Sequence, residues 1–132
     1  MQNVTSPRGD DAAIEQEIQA KGKTAARVTP ADITANVKAE HYFTAGEAVL
    51  GVVERPRHPL DLLTFCVLVL QNGFTVTGES ACASPENFDA EIGRKVARQN
   101  AMQKIWPLMG YELKSRLAHS AAVDAALSRS EG

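Results

Sequence analysis

An α+β fold follows from two neighbouring signals in the chain. Asn72-Gly73 lies between two strand-like runs. It is the strongest short hairpin signal, because both positions tolerate positive φ. Ser84-Pro85 then opens a long segment with helical spacing of apolar residues, with serine as the cap and proline in the first turn. The expected architecture is an antiparallel β-hairpin packed on a long C-terminal helix, preceded by short N-terminal helices. With 132 residues the chain has enough material for one domain with a modest core. Residues 27–117 are expected to form that domain, flanked by an N-terminal tail at 1–26 and a C-terminal tail at 118–132.

The first eleven residues are polar and aperiodic, as in a mobile tail. The stretch from Ala12 to Ala20 suits a short helix, broken at Lys21-Gly22-Lys23. Those lysines read as a solvated helix end, since the glycine spacing of a phosphate-binding loop is absent. Thr29-Pro30-Ala31-Asp32 supplies a cap, a first-turn proline and an acid three residues after the cap. Ile33, Val37 and Tyr42 continue an apolar stripe and predict a helix there. Thr44-Ala45-Gly46-Glu47 is a capping box, so a second helix should run toward Val53. Glu54 to Asp61 holds two prolines and reads as a loop.

Leu62 to Leu70 is almost continuously apolar and forms the first strand; Phe74 to Glu79 forms the second. A two-residue turn at Asn72-Gly73 would set Gln71 against Phe74, Val69 against Val76 and Val67 against Gly78. Phe65, Val67, Val69, Phe74 and Val76 would then share the core face. The opposite face, with Leu70, Leu68 and Cys66, is too apolar to stand in water uncovered. A helix, a ligand or a second subunit should cover it. On a 3.6-residue wheel the last helix has two apolar faces. Phe88, Ile92, Val96, Met102 and Trp106 form a large-residue face; Ala90, Gly93, Ala97, Ala101 and Leu108 form a small one. The small face suits close approach of another helix, from the same chain or a twin. Pro107 should end or kink the helix, and Gly110 should turn the chain.

Composition excludes several classes. A net charge of -2 and a pI near 5.9 give no global field for nucleic acid. No apolar run is long enough to span a membrane, and the N-terminus lacks the apolar core of a secretion signal. Two cysteines do not make a disulfide framework, consistent with reduced thiols. His41, His58 and His119 are scattered and no metal-ligand spacing occurs, so no metal or other cofactor is expected. Cys66 belongs to an apolar strand and reads as core. Cys82 precedes the expected helix cap, where a helix dipole would favour the thiolate, but no histidine stands in position to form a dyad. No catalytic residues are assigned.

Glu79 to Ser84 packs small residues and hydroxyls at the expected helix N-terminus, a setting that exposes N–H groups to an anion. The candidate ligand-binding residues are Glu79, Ser80, Ser84, Asn87, Arg94 and Arg98, with the arginines adding charge-assisted bonds. The simpler reading is that Ser84 only caps the helix and its neighbours pack tightly. Arg94, Lys95 and Arg98 also suggest a basic helix for RNA. Glu91 neutralises part of that charge, and few aromatics are present for stacking, which favours a solvated face.

The string LTFCVLVLQNGFTVTGESACASPENFDAEIGRKVARQNAMQKIWPLMGYELKSRL resembles a family of small tailed-phage proteins, named after the gene 49 product of a lytic coliphage and the gene 66 product of a Shigella phage. The earlier RVTPADITANVKAEHYFTAGEAVLG is similar to that family's N-terminal half. The likeness spans roughly residues 27–117, with SACASPENFD and KIWPL as its specific blocks. It implies a phage or prophage origin and action in the host bacterial cytoplasm, and it carries over no catalytic residues. The expected role is a non-enzymatic accessory binder in host takeover or counter-defence. Its expected partners are itself, as a homodimer or higher homo-oligomer, and a cyclic nucleotide or other phosphate-bearing ligand or a host defence protein. The alternative is a nucleic-acid-associated factor in phage replication or recombination.

Overall fold

The computed structural model of the chain describes residues 11–131. The expected mobile tail at 1–10 lies outside the described residues. Helix α1 (Asp11–Ala20) and helix α2 (Pro30–Ala35) lead into strand β1 (Val37–Thr44) and helix α3 (Ala45–Leu50). A 3-10 turn at Pro59–Leu62 precedes the hairpin, β2 (Leu63–Leu70) and β3 (Thr75–Ala81). A second 3-10 turn, Pro85–Asn87, precedes α4 (Ala90–Gln103) and α5 (Ile105–Glu131). The three strands form one antiparallel sheet in the order β1-β2-β3, so the α+β class stands.

Both expected capping boxes form. Thr29 accepts from Asp32 N while the Asp32 carboxylate accepts from Thr29 N, and Thr44 and Glu47 repeat the exchange. The first of these helices stops at Ala35, however. Val37 and Tyr42, placed above on a helical stripe, belong to β1 instead. The reason is tertiary: β2 offers a full unpaired edge, and β1 pairs along it from Val37↔Leu70 to Thr44↔Thr64, with a bulge between Val37 and Ala39.

The hairpin is where the sequence predicted, but its register is shifted by one residue. Val67 stands opposite Thr77, and Leu68 opposite Val76. Gly73 N donates to Leu70 O, Leu70 N donates to Phe74 O, and Gly73 has φ +88°. This is a three-residue loop that ends on a left-handed glycine, not a two-residue turn. A one-residue slip sends every side chain to the other face. The core face therefore carries Cys66, Leu68, Leu70, Val76, Gly78 and Ser80, while Phe65, Val67 and Val69 point to the other side.

Helix α4 covers the core face, and it does so with its small side. Gly93, Ala97 and Ala101 are buried, whereas Ile92 is 46% exposed and Val96, Met102 and Trp106 are half-buried. The small face that suited another helix is filled by the chain's own hairpin. Gly78 explains the choice. A Cβ there would lie 2.2 Å from Ala97 O and 2.3 Å from Ala101 N, so the helix backbone rests directly on β3. Asn100 Nδ2 donates to Glu79 O at 2.8 Å and ties the helix to that edge. Ile33, Leu68, Leu70, Val76 and Ile105 complete the core, with Trp106 and Met109 at its rim.

The helix begins later than expected. Asp89 caps it, accepting from Ile92 N, while Ser84 makes no cap bond and its Oγ donates to Glu86. Phe88 is thus outside the helix. Pro107 cannot donate to Gln103 O, and the helix breaks at Lys104. It resumes at Ile105, placing Pro107 in a first turn, where no N–H is required. Gly110 does not turn the chain; it lies inside α5, which continues to Glu131 through the expected C-terminal tail. At the other end, Arg27 holds α1 with two bonds to Glu15, at 2.6 and 2.7 Å.

Candidate functional site

An open groove of about 710 Å³ lies where α4 begins and leaves the end of the sheet uncovered. One wall is the end of β1, Tyr42 to Thr44; a second is the loop Gly51 to Arg57 that follows α3; the third is Phe88, Ala90 and Arg94. The loop is braced from within. Arg55 Nη1 donates to Gly51 O at 2.6 Å and Val53 O at 3.2 Å, and Nη2 pairs with Asp61 Oδ1 at 2.5 Å. The other oxygen of Asp61 accepts from His58 N. That backbone bond, with Arg55 beside it, holds the Asp61 carboxyl below the usual carboxylate range. Helix α3 presses on this pair through Gly46, where a Cβ would lie 1.9 Å from Asp61 Oδ1.

The guanidinium of Arg57 lies over the Phe88 ring, 4.7 Å from its centroid. Neither Arg57 nor Arg94 has a carboxylate partner among the described residues. Of the acids lining the groove, Asp61 is neutralised by Arg55, and Glu47 is held in its capping box. Glu54 remains as a free acceptor on the loop. The groove thus presents two unpaired cations, an aromatic edge and one unpaired carboxylate.

The six residues singled out from sequence are not gathered in one place. Arg94 lines the groove. Glu79 is exposed on β3, opposite Phe65, and Ser80 is buried opposite Thr64. Ser84 bonds to Glu86, and Asn87 is exposed at the end of its 3-10 turn. Arg98 is engaged by Glu40 on β1, its Nε 3.1 Å from both carboxylate oxygens. Glu40 also accepts from the Tyr42 hydroxyl at 2.6 Å. That bond, with Arg98 behind it, lowers the Glu40 pKa; burial, and the bond to Glu40 after it, raises that of Tyr42. The long helix does not start at Ser84, so its N–H groups do not face Ser80 to Ser84.

Sequence reading missed Arg55, Arg57 and Asp61 by treating Glu54 to Asp61 as plain loop. A signal was present: His58-Pro59-Leu60-Asp61 is a cap followed by a first-turn proline and an acid, and it forms a capping box in the structure. Cys82 is buried, and its Sγ donates to Ser84 O at 3.2 Å. Cys66 is fully buried, and burial raises its thiol pKa. No group of His, Cys, Asp and Glu among the described residues suits a metal ion. No helix among them is long and apolar enough to cross a membrane.

No curated protein and no solved structure matches the chain. A family model does match, over residues 28–117, which include β1, the hairpin, α4 and the groove. The chain belongs to the phage protein (N4 Gp49/phage Sf6 gene 66) family.

Proposed function

We propose that this phage protein is a non-enzymatic binder that acts in the host cytoplasm, in host takeover or counter-defence, by holding a nucleotide-like anion in the groove. The observation that carries the reading is the pair Arg57 and Arg94, two guanidinium groups without carboxylate partners on one concave surface. Both line the same cleft with no carboxylate to neutralise them among the described residues, which favours a negatively charged ligand there. A phosphate would take charge-assisted bonds from both. The edges of Phe43 and Phe88 offer apolar contact to a base or ribose, and Glu54 offers an acceptor for its donors. Arg55 is the structural member, since its bonds to Gly51, Val53 and Asp61 shape the loop that carries Arg57.

Calorimetry against mono-, di- and cyclic nucleotides tests the proposal. At least one should bind and raise the melting temperature. Arg94→Ala and Arg57→Ala should each weaken it by about 10-fold or more, the worth of a charge-assisted bond. Neither change should cost much stability, because an exposed unpaired arginine contributes little to folding. Absence of binding to every nucleotide class, or binding unchanged in both variants, rejects the groove and leaves a host protein as the partner.

A further inference from the structure

Strand β2 carries one hydroxyl in an otherwise apolar run, that of Thr64. Thr64 faces the core side, in line with Cys66, Leu68 and Leu70, but at the end of the sheet that α4 leaves uncovered, and there it lines the groove. It is only 3% exposed. Its side chain makes no hydrogen bond among the described residues. The hydroxyl of Thr44, across the strand pair, is taken by Glu47 N in the capping box. Nor is the Thr64 hydroxyl sealed in. The side-chain atoms that are both sealed and unpartnered among the described residues are Arg55 Nε and Gln99 Oε1, so Thr64 Oγ1 opens into the groove. A buried hydroxyl without a partner destabilises a fold, and valine would fill the same space without that cost. The folded chain gains nothing from this hydroxyl by itself; a ligand in the groove gives it a partner.

Given the nucleotide reading above, on which this rests, we infer that Thr64 is a ligand-binding residue: its hydroxyl holds the phosphate at the floor of the groove, with the base at the rim. At the floor Thr64 offers a donor, and Arg57 and Arg94 line the same groove without carboxylate partners among the described residues. A phosphate takes charge-assisted bonds from all of them. In a recess with little water such a bond is stronger than at the surface. The rim has the opposite character. Val52 and Val53 are 83% and 64% exposed, and the exposed Glu54 beside them is a free carboxylate. A carboxylate repels a phosphate, and valines offer it no donor. Both suit a base: the valines cover its face, and the carboxylate accepts from its N–H groups. Arg55 fixes this rim through its bonds to Gly51 O and Val53 O.

Calorimetry of the full chain with mono-, di- and cyclic nucleotides, and with pyrophosphate as competitor, tests the assignment. Pyrophosphate should displace the bound nucleotide. Thr64→Val should weaken nucleotide and pyrophosphate alike by about 10-fold or more, the worth of a hydrogen bond to a charged group. Thr64→Ser keeps the hydroxyl and should restore binding. The melting temperature of unliganded Thr64→Val should be unchanged or higher, because a methyl group replaces an unpartnered hydroxyl. A fall of about 4 °C or more means a hydroxyl bonded within the fold, and overturns the proposal. So does nucleotide binding that depends on Arg57 and Arg94 but is unchanged in Thr64→Val; that result leaves the groove reading standing. Pyrophosphate that does not compete, or that binds Thr64→Val as well as the wild type, puts the hydroxyl on the base or sugar and overturns the orientation. A chain that binds no nucleotide removes the groove reading and the role of Thr64 with it.

Discussion

Gly78→Ala tests how α4 meets the sheet. Gly78 has no positive φ, so alanine meets no backbone strain there. The obstacle is space alone. The new Cβ would sit 2.2 Å from Ala97 O, 2.3 Å from Ala101 N and 2.9 Å from Asn100 C. All three are helix backbone atoms and cannot rotate away. To restore an ordinary contact, α4 must withdraw by about an ångström, which loosens the packing of Leu68, Val76 and Ile105. Overpacking of this kind costs about 1–3 kcal/mol, and backbone obstruction places it at the upper end. The lower chain entropy of alanine in the unfolded state returns about 0.4–1 kcal/mol. The net loss is roughly 2 kcal/mol, or about 8 °C in melting temperature for a domain of this size. Gly110→Ala is the control: it adds a methyl in open space inside α5 and should stabilise by up to about 1 kcal/mol. Urea and thermal unfolding followed by circular dichroism measure both. A Gly78→Ala protein as stable as the wild type would mean that the helix does not rest on the glycine, and the packing argument would fail.

Helix capping gives a second test: Asp89→Ala should cost about 1 kcal/mol, while Ser84→Ala should cost little, since only Asp89 caps α4. Equal losses would place the helix start wrongly. Acid titration gives a third. Hydrogen bonds from Arg27, then Gln19, hold the Glu15 carboxyl at about 2, below its ordinary 4.5. A depressed folded-state pKa contributes stability above the unfolded value and loses it as pH falls toward the folded one. Melting temperature should therefore drop between about pH 4.5 and 2, and Glu15→Gln should flatten that drop; an unchanged slope in the variant would show that the Arg27 pair does not form in solution.

Much of the fold was legible from local chemistry. Thr29 and Thr44 announce their helices because a hydroxyl, an acid three residues on and the chain between them suffice to close a capping box. Asn72-Gly73 announces a hairpin for the same reason: positive φ is a property of the residue itself. The family likeness over residues 28–117 was also readable in the string. Of the groove, Arg94 was legible, but its neighbours Arg55 and Arg57 hid behind two prolines.

What only the tertiary structure decided involves choices between near-equal local options. Asn-Gly fits a two-residue loop or a three-residue loop ending on glycine, and the sheet faces follow from which one forms. Gly78 settles that choice by admitting α4 within backbone contact of β3, which no turn residue can specify. Val37 to Thr44 fits helix or strand, and the open edge of β2 makes it a strand. Arg98 looks free in sequence and is bound by Glu40, 58 residues away. Caps and turns are short-range and reside in a few residues, whereas register, edge pairing and ion pairs across the sheet depend on what the rest of the chain places opposite them.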